Sequence, residues 1–198
     1  MRNNFSFFRH WLKNPARVGA VLPSGRALAA AMAAEIDPLA PGVVVELGGG
    51  TGNITAALLE CGVPPRDIVV IEREAALAGM IAKRFPDITV ILGDARQLQA
   101  LLIHAGVRGV KAIVSGLPLL SLSRDTERWI LTQCFSVLPP EGYLVQFTYG
   151  PRAPVERGIA AALKLAAGRT AWVLENFPPA AVWVYRRQAA SAELKLRA

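Results

Sequence analysis

The sequence predicts an α/β fold: a doubly wound, mostly parallel sheet with helices on both faces, a C-terminal antiparallel hairpin and an N-terminal helical extension. Three observations carry this. Short runs rich in Val and Ile alternate with helical patterns, the first two runs are apolar on both faces, and a glycine cluster stands directly after the first run. Strands that are apolar on both faces and separated by helices belong to a parallel sheet covered on both sides. Such sheets bind ligands at the carboxyl ends of their strands.

The expected strands are Val43–Leu47, Ile68–Glu72, Thr89–Leu92, Lys111–Ser115 and Tyr143–Thr148. Helices are expected over Asn53–Cys61 after the glycine turn, over Glu74–Phe85 up to Pro86, and over Ala95–Ala105 near Gly106. Two more are expected over Arg124–Leu138, ended by Pro139 and Pro140, and over Ala153–Ala167, ended by Gly168. Proline and glycine supply these stops because one lacks the backbone donor and the other tolerates left-handed geometry. The tail reads as strands Ala171–Glu175 and Ala181–Arg186, joined through Phe177, Pro178 and Pro179, at the C-terminal edge of the sheet. Residues 1–41 precede the first strand and are read as an addition to a domain over residues 42–198.

The chain's 198 residues suit one domain around one core, and 53% of them are hydrophobic against 19% charged. No apolar run approaches the roughly 18–20 residues that cross a bilayer. The basic, aromatic start lacks the long apolar stretch and small-residue cleavage site of a signal peptide. Cys61 and Cys134 show no metal spacing and read as reduced thiols of a cytoplasmic protein; His10 and His104 are too few for a histidine-built metal site. No metal is expected. The net charge of +7 is uneven. Residues 1–45 carry five basic and two acidic side chains, residues 46–151 nine and ten, and residues 152–198 eight and three. A neutral middle between basic ends suggests an anionic partner, either nucleic acid or a membrane surface.

Glu46-Leu47-Gly48-Gly49-Gly50-Thr51-Gly52 follows a strand and opens a helix. Gly48, Gly50 and Gly52 allow a tight turn and a close approach by a ligand. The helix beginning at Asn53 offers free N–H groups to a carboxylate, and Glu46 can accept from an ammonium. A carboxylate and an ammonium together describe the methionine end of S-adenosylmethionine (SAM). Glu72, at the next strand end and 20 residues after Gly52, can hold both ribose hydroxyls, with Arg73 beside it. Asp94 and Ala95, after the third strand, would flank the adenine, the carboxylate accepting from its exocyclic amine. The order of these features resembles that of the class I SAM-dependent methyltransferases, a Rossmann-like superfamily.

The fourth strand ends in Ser115-Gly116-Leu117-Pro118-Leu119-Leu120, where such enzymes place substrate-facing residues. Methylases of nucleic-acid bases carry Asn or Asp here, and an aromatic residue after the proline. In this chain Ser115 and Leu119 take those places, removing the acceptor for a base amine and the stacking ring. Residues 5–13, Phe-Ser-Phe-Phe-Arg-His-Trp-Leu-Lys, put Phe7, Phe8, Trp11 and Leu12 on one face of a helix, with Arg9 and Lys13 off it. A short basic helix with Phe and Trp on its apolar side can lie in a membrane interface. Each cation there contributes on the order of 1 kcal/mol.

With these residues in hand, the chain resembles the short bacterial phospholipid N-methyltransferases, which methylate phosphatidylethanolamine towards phosphatidylcholine. The resemblance rests on Phe8-Arg9, Trp11-Leu12, Val18-Gly19-Ala20-Val21-Leu22-Pro23-Ser24, Glu46–Gly52 and Ser115-Gly116-Leu117-Pro118. It implies successive methyl transfer from SAM to a lipid amine, leaving S-adenosyl-L-homocysteine. It also implies a first helix that binds anionic membrane and covers the active site, and a protein peripheral on the inner face of the cytoplasmic membrane. Ser115, Gly116 and Tyr149 are the expected catalytic positions, the carbonyl of Ser115 or Gly116, Tyr149 or water taking the amine's proton. Leu117, Pro118, Tyr149 and Arg152 are the expected substrate contacts, Arg152 meeting the lipid phosphate. The partners expected are the phospholipid and an anionic surface, with the protein acting as a monomer and nucleic acid not expected. The alternative is rRNA adenine N6-methylation, favoured by the basic C-terminal third and the shared fold.

Overall fold

The computed structural model describes residues 23–175 and 178–188. The proposed membrane residues Phe7, Phe8, Arg9, Trp11, Leu12 and Lys13 lie outside them. The elements run α1 (Pro23–Ala33), β1 (Val43–Leu47), α2 (Asn53–Glu60), β2 (Ile68–Glu72), α3 (Ala75–Arg84), β3 (Thr89–Leu92) and α4 (Leu98–His104). They continue with β4 (Val110–Ser115), α5 (Arg124–Val137), β5 (Tyr143–Tyr149), α6 (Arg157–Ala162), β6 (Leu165–Val173) and β7 (Ala180–Arg187). The seven strands form one sheet in the order β3-β2-β1-β4-β5-β7-β6. β7 alone runs antiparallel to its neighbours. This is the Rossmann-like arrangement expected.

The apolar runs become the buried middle of the sheet. Every residue of β2 is buried, and Val44, Val45 and Leu47 of β1 have no exposed surface. One core lies between the sheet and α4–α6, the other between the sheet and α1–α3. α1 presents Leu28, Ala29, Met32 and Ala33, a helical spacing, to Val145, Val182 and Val184. Leu28, Ala29, Met32, Ala33 and Ile36, within the stretch read as an addition, are thus built into the core. Lys111 Nζ ties down the α1–β1 connection through the carbonyls of Asp37 (2.9 Å) and Ala40 (2.6 Å), and the Tyr143 hydroxyl donates to the Glu35 carbonyl (2.9 Å).

Two expectations are corrected. The helix expected over Ala153–Ala167 is only α6, and the chain is already a strand at Leu165. Lys164 takes a left-handed φ of 52° and ends the helix early; Leu165 then pairs with Arg187 on β7. Sheet pairing overrides the helix propensity of Ala, Leu and Lys, and Gly168 lies inside the strand instead of stopping a helix. The hairpin lies at the border of the sheet as expected, but its first strand starts earlier, at Leu165; within the hairpin β7 is the inner strand. It lies between β5 and β6, leaving β6 as the exposed border.

The strand order turns back between β1 and β4. Such a switch point opens a crevice at the carboxyl ends of the two strands. Leu47 and Ser115 are register partners there, so the loops that follow them face each other.

Candidate functional site

The first loop is the glycine turn. Gly48, Gly50 and Gly52 all have positive φ, at 74°, 52° and 80°. Gly52 caps α2 without a side-chain hydrogen bond, leaving the helix start open to a ligand. Gly49, named in the motif but given no role from the sequence, is needed for another reason. A Cβ there would stand 2.5 Å from Val70 Cγ1 and 2.6 Å from Ile81 Cδ1, so the turn is pressed onto β2 and α3.

Two carboxylates underpin this turn. Glu72 is nearly buried, and its Oε2 accepts from the Gly50 N–H (2.9 Å) while Oε1 accepts from the Glu74 N–H (2.8 Å). Each carboxylate oxygen has a second lone pair, so both can still accept from a ligand hydroxyl. Glu46 has no exposed surface. Its Oε2 accepts from the Thr55 hydroxyl at 2.5 Å, and its Oε1 has no partner among the described residues. Burial pushes the Glu46 carboxyl up to about 8; the Thr55 bond opposes this and the nearby Glu72 charge adds to it. A buried acceptor oxygen without a donor, under a turn that admits close approach, fits a ligand bearing an ammonium. Thr55 was not read from the sequence. Its signal is a hydroxyl on the first turn of α2, opposite the strand-end acid.

Asp94 and Ala95 stand at the end of β3. Asp94 accepts from Arg96 three times: from its N–H (2.9 Å), Nε (3.1 Å) and Nη2 (2.8 Å). These bonds hold the Asp94 carboxyl below its ordinary range, with Arg73 adding a smaller pull. Asp94 therefore keeps a negative charge at the edge of the crevice, and Arg73 sits close enough for its field to be felt. Ala95 is buried at the start of a short turn.

The second loop starts at Ser115, which is buried and register-paired with Gln146 of β5. The Ser115 hydroxyl accepts from the Leu117 N–H at 3.3 Å, and the Gly116 N–H donates to the Leu47 carbonyl at 2.8 Å. Gln146, fully buried, donates through Nε2 to the carbonyl of Leu117 (2.9 Å) and to that of Phe147 (3.1 Å). Ser115 and Gly116 thus shape the loop and lock it against β1. Leu117 departs from its expected place. Its Cδ2 lies 2.9 Å from where a Cβ of Gly48 would stand, so its side chain covers the glycine turn and is not among the cavity walls.

Beyond this loop a cavity of about 440 Å³ opens at the ends of β4 and β5, walled by Pro118, Leu119, Phe147, Thr148, Tyr149 and Trp172 among others. Among the described residues no carboxylate, lysine, arginine or histidine lines it. Phe147 and Tyr149 meet edge to face, with ring centroids 5.3 Å apart and planes at 76°. The cavity brings Pro118 and Tyr149 together. It excludes Arg152, which lines a neighbouring cavity of about 620 Å³ with Glu156, Arg157 and Trp183. Pro151 is common to both. Thr148, also missed from the sequence, is almost fully buried, and its Oγ1 has no partner among the described residues. Alternation on β5 could have found it, one residue before Tyr149. Among the described residues no group of three or more His, Cys, Asp or Glu is placed to hold a metal ion.

No family model matches the chain. Over 154 residues it is 30% identical to the ornithine lipid N-methyltransferase of Singulisphaera acidiphila, a match covering 76% of this chain and 80% of that protein. A shorter stretch of 85 residues is 36% identical to the ribosomal RNA small subunit methyltransferase A of a Synechococcus strain, covering 41% of this chain and 26% of that protein. Among solved structures, the 1,6-didemethyltoxoflavin-N1-methyltransferase of Burkholderia thailandensis, with bound 1,6-didemethyltoxoflavin and S-adenosylhomocysteine, superposes with a TM-score of 0.65. That match is 15% identical and covers 94% of this chain and 88% of the other.

Proposed function

The chain belongs to the class I SAM-dependent methyltransferases, with SAM as its cofactor, and we propose that it methylates the amine of a membrane-lipid headgroup. Phosphatidylethanolamine is the acceptor that the sequence resemblance implies, with its mono- and dimethyl derivatives following on the way to phosphatidylcholine. Ornithine lipid is the competing acceptor, brought in by the name of the 30% identical relative. The observation that carries the proposal is the charge-free aromatic and proline cavity beside the glycine turn.

SAM supplies an electrophilic methyl group on a positively charged sulfur. Glu46, the turn from Gly48 to Gly52, Asn53, Glu72 and Asp94 are the residues proposed to hold it. The unpartnered Glu46 oxygen suits the ammonium, the open start of α2 the carboxylate, and Glu72 the ribose hydroxyls. The acceptor amine must be neutral to attack. An uncharged cavity serves this, because burial without a counter-charge can lower an amine's pKa by up to about 3 units. Alignment and removal of water then do most of the remaining work. Thr148 lines the cavity, and its buried Oγ1, without a partner among the described residues, is the acceptor proposed for an amine N–H. Held there, the amine keeps its lone pair for the methyl, while its proton leaves to a loop carbonyl, Tyr149 or water. Phe147, Tyr149 and Trp172 offer ring faces to the methylated, cationic product.

The proposed location is the inner face of the cytoplasmic membrane. Labelled SAM is supplied with anionic vesicles containing phosphatidylethanolamine, with the same vesicles containing ornithine lipid, and with rRNA. Label in the lipid fraction is expected. Label on rRNA with none on either lipid would overturn the reading in favour of adenine N6-methylation, which the 85-residue likeness and the basic C-terminal third favour.

A further inference from the structure

Two large apolar walls of the aromatic cavity keep much of their surface exposed, Leu120 (48%) and Trp172 (42%), and Leu174 (74%), two residues beyond Trp172 in the chain, is more exposed still. The lining thus continues outward onto the surface. Arg169 lies over this rim. Its guanidinium stands 4.9 Å from the Trp172 ring and 6.0 Å from that of Trp183. The neighbouring cavity adds Arg152 and Arg157. The acids nearby are Glu175, beside Leu174 in the chain, Glu127, whose Oε1 accepts from the Glu156 N–H at 2.9 Å, and Glu156, whose Oε2 is engaged by the Ile159 N–H at 3.1 Å. Aromatic and leucine side chains rimmed by arginine describe a surface suited to the headgroup region of an anionic bilayer.

α1 begins at Pro23 at the same end of the molecule, and a Cβ on Gly25 would lie 3.4 Å from Asn53 Nδ2, at the start of α2.

We propose that the rim formed by Leu120, Trp172, Leu174 and Arg169 is a second docking surface for an anionic bilayer, separate from the N-terminal segment, through which a lipid acceptor reaches the cavity. This rests on the lipid reading of the site, but its physical test does not need turnover. The full chain is floated with vesicles of phosphatidylglycerol and phosphatidylcholine, and Leu174→Asp and Arg169→Gln are compared with it. Neither residue belongs to the cofactor or acceptor site, and both are exposed, so melting temperature and turnover on monomeric short-chain phosphatidylethanolamine should not change.

Leu174→Asp should raise the lipid concentration for half-maximal binding about tenfold. Arg169→Gln should raise it about fivefold on anionic vesicles only, and should flatten the salt dependence. Unchanged binding by both variants overturns the proposal and leaves the methylation assay to stand on its own. Concentration-dependent self-association abolished by Leu174→Asp, with vesicle binding intact, would also overturn it and assign the face to a second copy of the chain. If no lipid is methylated yet both variants lose vesicle binding, the surface stands and the acceptor assignment falls.

Discussion

The two sides of the crevice are built from different chemistry. On the β1–β3 side, glycines and carboxylates do the work: Glu46 and Glu72 underpin the turn, and Asp94 is held ionised by Arg96. On the β4–β7 side the cavity holds rings, prolines and one buried hydroxyl, with no charge among the described residues. The contrast teaches how the proposed labour is divided. A cationic, many-armed cofactor is recognised by complementary charge and backbone. A small amine that must shed its proton is better served by a surface with nothing to stabilise its charged form.

Gly49→Ala tests the first side most severely. The added methyl has no room against Val70 and Ile81, and overpacking of this kind costs about 1–3 kcal/mol. A lower melting temperature and loss of SAM binding by calorimetry are expected. An alanine variant of normal stability and affinity would show that the turn is not pressed against its support.

Glu46→Gln should separate stability from binding. In the unfolded chain this carboxyl releases its proton near 4.5, whereas in the fold it keeps it until about 8. Between those values the folded state holds the extra proton, so stability without cofactor falls as pH rises from about 4.5 to 8 and is level above. The glutamine variant should lose that slope and be the more stable protein at pH 8. Its affinity for SAM should nevertheless fall roughly ten- to a hundredfold, the loss of one charged hydrogen bond. Denaturant melts across pH, set beside calorimetry, decide it; parallel changes in both would mean that Glu46 is only a structural acid.

Thr148→Val makes the mildest change, and it falls on the other side. With the hydroxyl gone, turnover should drop about tenfold, as for one lost neutral hydrogen bond, while SAM affinity stays unchanged. A shift in SAM affinity with unchanged turnover would move Thr148 out of the acceptor side.

The same contrast explains what could be read from the sequence. Glu46, the glycines, Glu72 and Asp94 lie at three successive strand ends, where residue type and position carry the chemistry; the structure sets Glu46 and Glu72 beneath the glycine turn and Asp94 at the end of β3, bonded to Arg96. The acceptor side writes a weaker signal, because a charge-free cavity is made of residues that also fill cores. Pro118 and Tyr149 reached it, but Leu117 turned onto the glycine loop and Arg152 entered the neighbouring cavity, since loop paths decide both. Thr148 was hidden by its own plainness. The helix expected up to Ala167 failed for a long-range reason: its alanines and leucines favour a helix locally, but β7 lies beside them.

That last strand has a consequence for how the protein is made. β7 comes at the end of the described chain yet lies in the interior of the sheet, between β5 and β6. While the ribosome is still short of Arg187, β5 shows a bare edge from Tyr143 to Tyr149 and β6 has nothing to pair with. The cofactor turn can form early from β1, β2 and β4. The cavity wall bearing Trp172 cannot, and an unpaired apolar edge invites aggregation in the meantime. A polypeptide released before Ala180 would emerge with its nucleotide turn written and its acceptor chamber unbuilt.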